Sequence, residues 1–249
     1  MTRAFLRKMN YTHIHFKSIS STHLYAIEQA GDLKDQTVIT AEFQSDGRGR
    51  FGREWISAPG DSLLMTIFLK LCISPSRVAL ILPVTALAVL NLLKDFRIET
   101  TIRWPNDVMV GEKKIAGLLA ESSFIGNRLS HVVVSVGLNV NQDTNALTKI
   151  DRPATSIFVE MGRFENSLTL MSALLSHFDK LYNSLLANGF TAIVEQWREK
   201  QMLSGKRVRI EAGGRWHEGR VASFGNDGSI AIEDDTGIVK SFVAGEVHY

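Results

Sequence analysis

Residues 100–122 have the sequence TTIRWPNDVMVGEKKIAGLLAES, in which two β-strand patterns flank a turn at Gly111-Glu112. Apolar and β-branched residues fill both runs, as is typical of strands in a protein core. A hairpin of this kind would place Lys114 near Asp107 across the two strands. This predicted hairpin in the middle of the chain is the starting point for assigning the remaining elements.

Around the hairpin the sequence predicts a mixture of strands and helices. Strands are predicted over residues 12–16, 37–43, 62–72, 100–110, 114–122 and 131–140, and helices over residues 22–30, 76–96, 166–188 and 191–201. Pro83 is expected to bend the second of these helices. Because strands and helices do not alternate strictly, an α+β fold with a mixed sheet and flanking helices is favoured over a doubly wound fold.

After Ser204 the pattern changes to short strands separated by turns. Turns are predicted at residues 213–214, 226–228 and 235–237, and the apolar residues that alternate with polar ones are Val208, Ile210, Val221, Ile230, Ile232 and Val239. We therefore predict two domains, a larger one over residues 1–203 and a small β-barrel over residues 204–249.

The composition is that of a globular protein, with 45% hydrophobic and 22% charged residues among 249. A net charge of +2 argues against general nucleic-acid binding, so that any basic site must be local. The single cysteine, Cys72, cannot form an intramolecular disulfide, which favours a reducing, cytoplasmic location. The first eight residues lack the apolar segment of a signal peptide, and no membrane-spanning helix is predicted.

Residues 44–61 interrupt the apolar periodicity and contain the segment GRGRFGREW at residues 47–55. It matches the G-x-G-x-x-G pattern of dinucleotide sites, but such a site needs a helix directly afterwards, and Pro59-Gly60 excludes one. A Gly-Lys-Ser/Thr sequence, which a phosphate-binding Walker loop requires, is also missing. Glycines allow close backbone approach to a ligand, and arginines bind phosphate or carboxylate in a bidentate manner. The segment is either an anion-binding loop or a solvated basic loop.

Four segments together identify a family. They are GRGRFGREW at residues 47–55, RWPND at 103–107, KIAGLL at 114–119 and GLNVN at 137–141. Each alone has an ordinary explanation, such as a turn-forming Asp107 or a surface-exposed Lys114. In this order they resemble the catalytic domain of biotin–protein ligases, and the resemblance extends from about Ile14 to the C-terminus. It implies a class II aminoacyl-tRNA synthetase/biotin ligase-like fold followed by an SH3-like β-barrel.

The resemblance also implies a reaction in two steps. Biotin reacts with ATP to form biotinyl-5′-AMP and pyrophosphate, and a lysine of a biotin carboxyl carrier domain then attacks the adenylate. ATP and biotin are the implied substrates and Mg²⁺ is expected, although the sequence assigns no metal ligand. The acceptor belongs to a biotin-dependent carboxylase.

The site residues are carried over from the family motifs to matching positions. The resemblance implies catalytic roles for Lys114, Arg48 and Asp107. The biotin-binding residues it implies are Ser21, Thr22, His23, Gln44, Arg48, Gly49, Arg50, Lys114 and Gly117. The residues it implies for ATP and the adenylate are Arg50, Arg53, Trp55, Asn106, Lys114 and Asn139. Asp107 either positions the incoming lysine or orients Lys114, and Trp104 is either a wall of the site or a core residue.

The chain departs from the family pattern at two positions. His23 occupies the place of an asparagine, so that a hydrogen-bond donor and acceptor are kept but amide geometry is lost. Arg103 replaces the usual lysine before Trp-Pro-Asn-Asp, which keeps the charge but changes its geometry.

Other functions remain open from sequence alone. A lipoate or octanoate ligase or transferase shares the catalytic fold, and a non-catalytic binding protein would use the barrel for partner recognition. About ten residues precede the first strand, too few for an N-terminal winged helix, so we expect the monofunctional type without specific DNA binding. We expect a monomer or weak homodimer.

Overall fold

The computed structural model describes residues 10–70, 75–150 and 152–249. Its strands are β1 Thr12–Ile19, β2 Thr37–Gln44, β3 Ser62–Leu69, β4 Thr101–Arg103, β5 Asp107–Val110, β6 Lys113–Ile125, β7 Arg128–Asn139, β8 Arg207–Ala212, β9 Arg215–Phe224, β10 Ile230–Glu233, β11 Val239–Phe242 and β12 Glu246–His248. Its α-helices are α1 Thr22–Glu28, α2 Ile81–Asp95, α3 Thr144–Leu147, α4 Ile157–Met161, α5 Ser167–Asn188 and α6 Thr191–Glu199.

A seven-stranded sheet in the order β1-β2-β3-β7-β6-β5-β4 forms the centre of the larger part. β1 and β2 pair in parallel and the other neighbours pair antiparallel, so the sheet is mixed, as predicted. Helix α2 packs against α5, α6 and β6, and these elements share one large apolar core. Helix α1 contacts β3 and β7 and shares a smaller core with them. The candidate site lies beside α1.

The predicted strand over residues 100–110 is two strands. β4 and β5 pair antiparallel, with Arg103 opposite Asp107, and residues 104–106 form the turn between them. Pro105 has no N–H to contribute to a ladder, so the chain turns there rather than continuing as a strand. The predicted proximity of Lys114 and Asp107 is confirmed by a distance of 2.6 Å between Lys114 Nζ and Asp107 Oδ1.

The bend expected at Pro83 stays a prediction. A 3₁₀-helix, Pro75–Leu80, precedes α2, and Pro83 is the third residue of α2. The first N–H groups of a helix have no intrahelical partner, so proline costs no hydrogen bond there. Three parts of the sequence-based prediction lie outside the described residues. They are the side chain of Ser76, Cys72 with the predicted end of its strand, and the first nine residues.

The segment Val78–Asp95, which includes α2, is long and apolar enough to cross a membrane, with a mean hydropathy of 1.8. Two thirds of it (67%) is buried inside the protein. Packing in the core therefore accounts for its apolar composition.

The C-terminal residues form a separate five-stranded antiparallel sheet in the order β11-β10-β9-β8-β12. Its turns lie where the sequence predicts them, but Val239 is exposed rather than buried. β11 is an edge strand with few inward positions, which explains this difference. The sheet contacts the larger part through the Trp104 indole, which donates to Gly228 O at 2.8 Å. Its likeness to an SH3-like barrel stays a prediction.

Candidate functional site

The glycine- and arginine-rich loop forms a small hairpin. Arg48 and Glu54 form a bridge, and Gly49 N–H and Trp55 N–H donate to Arg53 O and Gly47 O. A Cβ on Gly47 would lie 2.6 Å from Trp55 O, so only glycine fits in this pairing. The loop thus brings the Trp55 ring back onto the central sheet.

Two glycines in neighbouring strands provide the surface on which Trp55 lies. Gly117 of β6 is paired with Gly137 of β7. A Cβ on Gly137 would lie 2.7 Å from the Trp55 ring, and one on Gly117 would lie 2.9 Å from Lys114 Nζ. Their missing side chains therefore create the groove that Trp55 fills, while the Trp55 Nε1 is buried without a hydrogen-bond partner within the described part of the chain.

A smaller cavity of about 50 Å³ lies beside this groove. Its lining includes eight of the nine residues predicted to bind biotin, namely Ser21, Thr22, His23, Gln44, Arg48, Gly49, Lys114 and Gly117. The ninth, Arg50, lies elsewhere. Gln44 Oε1 accepts hydrogen bonds from both the backbone N–H and the hydroxyl of Thr22, at 2.7 and 2.9 Å. Ser21 caps α1 by accepting from Leu24 N–H at 3.4 Å. This end of the site is uncharged and rich in hydrogen-bonding groups.

A larger cavity of about 550 Å³ adjoins the smaller one. Its lining includes all six residues predicted to contact ATP, namely Arg50, Arg53, Trp55, Asn106, Lys114 and Asn139. Arg103 and Arg152 add two further cations to the same wall. Such a concentration of positive charge suits a polyanionic ligand. Gly49, Trp55 and Lys114 line both cavities and therefore stand at the junction between them.

Asp107 holds two of these cations. Arg103 Nη2 lies 2.5 Å from Asp107 Oδ2, and Lys114 Nζ lies 2.6 Å from Oδ1. Burial alone would raise the pKa of Asp107, but the charges of Lys114 and Arg103 hold this pKa below its ordinary value. Asp107 is therefore ionised at neutral pH, and in the structure it orients Lys114.

Glu246 of β12 pairs two other cations, Arg53 and Arg152, the latter at 2.8 Å. The hydrogen bond from Arg53 is the main reason why the pKa of Glu246 falls to about 2. The C-terminal sheet thus contributes one ionised carboxylate to the wall of the larger cavity.

The two predicted asparagines are held by the protein itself. Asn106 Nδ2 donates to Leu118 O at 2.6 Å, and its Oδ1 accepts from Arg50 at 3.4 Å. Asn139 is buried, and its amide bonds to Thr155 O and Gln142. Trp104 is buried, at 2% exposure, and packs in the core, and it also lines the larger cavity. Hydrogen bonds within the protein thus fix the orientation of both asparagines.

Sequence reasoning missed several residues of the site. Arg152 and Glu246 are isolated charges in the sequence, with no neighbouring motif to mark them. Ser135 and Thr66 lie within apolar strands, where a hydroxyl is an ordinary strand residue. The periodicity of β7 could have shown that Ser135 faces the same side as Gly137.

Comparisons with known proteins agree with this geometry. The chain matches the model of the Biotin/lipoate A/B protein ligase family over residues 15–139, half of its length. It is 28% identical over 234 residues to the bifunctional ligase/repressor BirA of Bacillus subtilis, covering 93% of this chain and 72% of that protein. It is 30% identical over 200 residues to the biotin–[acetyl-CoA-carboxylase] ligase of Mycobacterium tuberculosis, covering 78% and 72%.

Among solved structures, the biotin protein ligase from Aquifex aeolicus in complex with biotin and ATP has the same fold. The TM-score is 0.80 at 24% identity, with 95% of this chain and 97% of that chain covered. The family match includes all seven strands of the central sheet, apart from the first three residues of β1, and therefore the residues that separate the two cavities.

Proposed function

The chain belongs to the biotin/lipoate A/B protein ligase family, and we propose that it activates biotin with ATP and transfers it to a lysine of a biotin carboxyl carrier domain. The observation that carries this proposal is the position of Lys114 at the junction of two cavities, a smaller one with uncharged hydrogen-bonding groups at the Thr22 and Gln44 end and a larger cationic one. Biotin has a polar, uncharged ureido ring at one end and a carboxylate at the other. The smaller cavity matches the ureido ring, the junction at Lys114 matches the carboxylate, and the larger cationic cavity matches the triphosphate.

The first half-reaction brings two anions together. The biotin carboxylate oxygen attacks the α-phosphorus of ATP, and the bond to pyrophosphate breaks. Repulsion between the anions is reduced if a fixed cation lies between them, and Lys114, held by Asp107, supplies that charge. Arg48 pairs with Asp46 at 3.3 Å and borders the smaller cavity, from which it can approach the carboxylate. Arg50 and Arg53 lie on the side of the phosphates.

In the second half-reaction the neutral amine of the acceptor lysine attacks the acyl carbon, and AMP leaves. The amine gives up a proton to solvent as the amide bond forms and the bond to AMP breaks. Asp107 is already engaged by Lys114 and Arg103, so its role here is to orient Lys114 rather than to accept that proton. Arg50, which lines the larger cavity and not the smaller one, is assigned to the adenylate phosphate.

Mg²⁺ would accompany the ATP phosphates. The described residues contain no group of three His, Cys, Asp or Glu side chains suited to a metal ion. Three carboxylates from the described part of the chain line the larger cavity, Glu54, Asp107 and Glu246, and the last two are paired with cations. Mg²⁺ commonly binds through substrate phosphates with one or two carboxylates, so a separate protein cage is not required.

The proposal includes the division into residues 1–203 and 204–249. The second part has its own sheet, and its residues Gly245, Glu246 and Val247 line the larger cavity. It therefore completes the ATP side of the site. The proposal also includes a cytoplasmic location and a monomer or weak homodimer. It includes no specific DNA binding.

Biotin-dependent exchange of pyrophosphate into ATP tests this function with the purified chain. We expect exchange with biotin and little with lipoate or octanoate, because only biotin brings a ureido ring to the smaller cavity. Exchange that depends on lipoate or octanoate instead would identify the other branch of the family. Binding of biotin without exchange would indicate a non-catalytic protein.

A further inference from the structure

His23 is a buried residue of α1 at the edge of the smaller cavity. Its Nδ1 lies 2.7 Å from Ser135 Oγ on β7. Its Nε2 lies 3.2 Å from Glu121 Oε1 on β6, but it makes no hydrogen bond of good geometry within the described part of the chain. The proton on this ring can sit on either nitrogen, and neighbouring groups decide which one.

A chain of hydrogen bonds decides the tautomer, and it begins at a backbone group that can only donate. Thr22 N–H donates to Gln44, which identifies the Gln44 atom as the carbonyl oxygen, Oε1. The Thr22 hydroxyl lies 2.9 Å from the same oxygen and must donate to it. Its proton is then used, so the Thr66 hydroxyl, 2.8 Å away, must donate to Thr22.

The same logic extends to the imidazole. Ser135 Oγ lies 2.7 Å from Thr66 Oγ1 and must donate to it, because the Thr66 proton is already committed. Ser135 then has no proton left for His23 and can only accept. His23 Nδ1 therefore carries a hydrogen and donates it to Ser135. In the neutral ring, Nε2 carries a lone pair and lacks a hydrogen-bond donor among the described residues, since its neighbour at 3.2 Å, Glu121 Oε1, is a second acceptor.

We propose that His23 Nε2 accepts an N–H hydrogen bond from the ureido ring of the substrate, and that a proton competes for this acceptor, so that biotin binding weakens in acid. This inference rests on the proposed function for the identity of the substrate. A ureido group has two N–H donors, and His23 borders the smaller cavity to which that ring is assigned. Protonation of Nε2 turns the acceptor into a donor that pairs with Glu121, and the site for the N–H is lost.

The surrounding charges give the direction of the pH effect. Burial lowers the pKa of His23 below its ordinary value near 6.5, Glu121 acts to raise it and Arg48 acts to lower it. Ser135 of β7, which contacts the ring, and Thr66 of β3, which contacts Ser135, are neutral. Above the lowered pKa the ring is neutral and accepts, and as the pH falls through it the acceptor disappears. The KM for biotin should then rise by about tenfold for each pH unit, as for one competing proton.

The test measures the KM for biotin in pyrophosphate exchange between pH 5 and 8.5, together with proton release on biotin binding by calorimetry in buffers of different ionisation enthalpy. We expect an acid rise in KM for the wild type, with release of up to one proton on biotin binding in the same range, and proton uptake would contradict the proposal. His23→Asn should lose this rise, because an amide oxygen accepts without titrating. Glu121→Gln should move the rise to lower pH, because the carboxylate that raises the pKa is gone.

The chain of hydrogen-bonded hydroxyls formed by Thr22, Thr66 and Ser135 can be tested separately. Thr66→Val removes the group that takes the Ser135 proton, so Ser135 can donate to Nδ1 and the opposite tautomer is allowed. Nitrogen-15 NMR of the histidine ring should show Nδ1 protonated in the wild type and in Thr66→Ser, and a mixture in Thr66→Val. The KM for biotin should rise in Thr66→Val at all pH values and recover in Thr66→Ser.

Coinciding pH profiles for wild type and His23→Asn would overturn the proposal, and so would a wild-type ring protonated at Nε2 alone in the neutral form. A purely structural role for His23 would change the KM by the same factor at every pH and leave the position of the rise unmoved in Glu121→Gln. If the wild type neither binds biotin nor catalyses exchange at any pH, the proposed function fails instead. If His23→Asn does not fold, the pH at which the KM for biotin rises in Glu121→Gln, compared with the wild type, tests the proposal.

Discussion

Lys114 is the charged side chain that lines both cavities and is fixed by an ion pair. Its ammonium group lies at the junction of the two cavities and is held there by Asp107, 5.6 Å from the centre of the Trp55 ring. We expect Lys114→Ala to lower adenylate formation by about 100- to 1,000-fold, the usual loss when one fixed charge-stabilising group is removed. Single-turnover formation of biotinyl-AMP measures this effect, and circular dichroism checks the fold.

Lys113→Ala is the matched control for this variant. Lys113 is the preceding residue of β6 and is exposed, so its loss should leave adenylate formation within about twofold of the wild type, as surface changes usually do. Near-normal activity in folded Lys114→Ala would remove Lys114 from the mechanism.

Arg50 connects the loop to the rest of the site. Its guanidinium lies 3.4 Å from Asn106 Oδ1 and borders the larger cavity. Arg50→Gly removes this connection and adds backbone freedom, which favours an open loop. We expect this variant to make the adenylate but to release it, so that surface lysines of a bystander protein become biotinylated several-fold more than with the wild type. Streptavidin blotting of the bystander measures the release.

Phe51→Gly separates the two effects of that change. Phe51 is exposed and has a φ of 56°, so glycine at this position adds freedom to the loop. It keeps the Arg50 guanidinium and its contact with Asn106, and removes only the Phe51 ring 4.8 Å from that guanidinium. Bystander labelling should stay near the wild-type level. Equal bystander labelling by both glycine variants would show that adenylate release results from backbone freedom and not from loss of the guanidinium.

The loop over residues 44–61 is the element that must move. The smaller cavity holds about 50 Å³, much less than the roughly 300 Å³ or more of typical small-molecule sites, and Trp55 fills the adjoining groove. Biotin can enter only if Trp55 leaves the two glycines. We expect biotin binding to change the fluorescence of Trp55, and hydrogen exchange in this loop to slow when biotin and ATP are bound.

Trp55→Phe identifies the signal, because the other three tryptophans lie outside this loop. The fluorescence change should disappear in this variant while binding, measured by calorimetry, persists. Exchange in the loop that is equally slow with and without ligand would show that it does not close over the site.

At the scale of the whole molecule, Trp104 joins the two parts of the chain. Its indole N–H donates to Gly228 O in the turn between β9 and β10. Trp104→Phe should keep most of the packing but leave that carbonyl without its donor, lowering the free energy of unfolding by about 1 kcal/mol. Urea denaturation measures the change. Trp104 also lines the larger cavity, but its ring is only 2% exposed, so both KM values should stay unchanged. A selective rise in the KM for ATP would show that this lining position contributes to ATP binding.

Glu246 makes the second link, and it acts on the ATP side. Glu246→Gln keeps the shape of the side chain but removes the charge that holds Arg53 and Arg152. We expect the KM for ATP to rise several-fold while the KM for biotin stays constant. Asp235→Asn is the control, since it breaks the exposed pair with Arg207 far from both cavities. A stability loss without any change in the KM for ATP would contradict a role in the site.

The same carboxylate gives a pH dependence with a defined sign. Its pKa is lowered from 4.5 to about 2 in the folded protein, so its contribution to stability is complete above 4.5 and is lost as the pH falls towards 2. The difference in stability between wild type and Glu246→Gln should therefore shrink between pH 4.5 and 2. Because both arginines are substantially exposed, the difference should be at most about 1 kcal/mol.

Much of the molecule follows from local patterns in the sequence. Ser21 and Asn166 mark helix starts because a short polar side chain caps the free N–H groups, and both caps are present. The C-terminal strands begin and end at the predicted turns because few residues other than glycine, asparagine and aspartate tolerate the required backbone angles. The residues of the four motifs also lie around one pair of adjoining cavities.

Other features depended on the tertiary structure. The turn at residues 104–106 depends on where Pro105 falls within the strand pattern. Arg50 lines the larger cavity and not the smaller one, since the positions of side chains on a loop hairpin do not follow from their spacing in the sequence.

Contacts between residues far apart in the sequence are the features that sequence patterns predict least well. Arg53 and Glu246 are 193 positions apart, and His23 and Ser135 are 112 apart. Periodicity and turn residues report the local backbone and the side that is buried, so the sequence by itself determined the elements, their caps and the chemical groups of the site. The pairing of those charges and the direction of each hydrogen bond depend on distances between strands, and only the tertiary structure decided them.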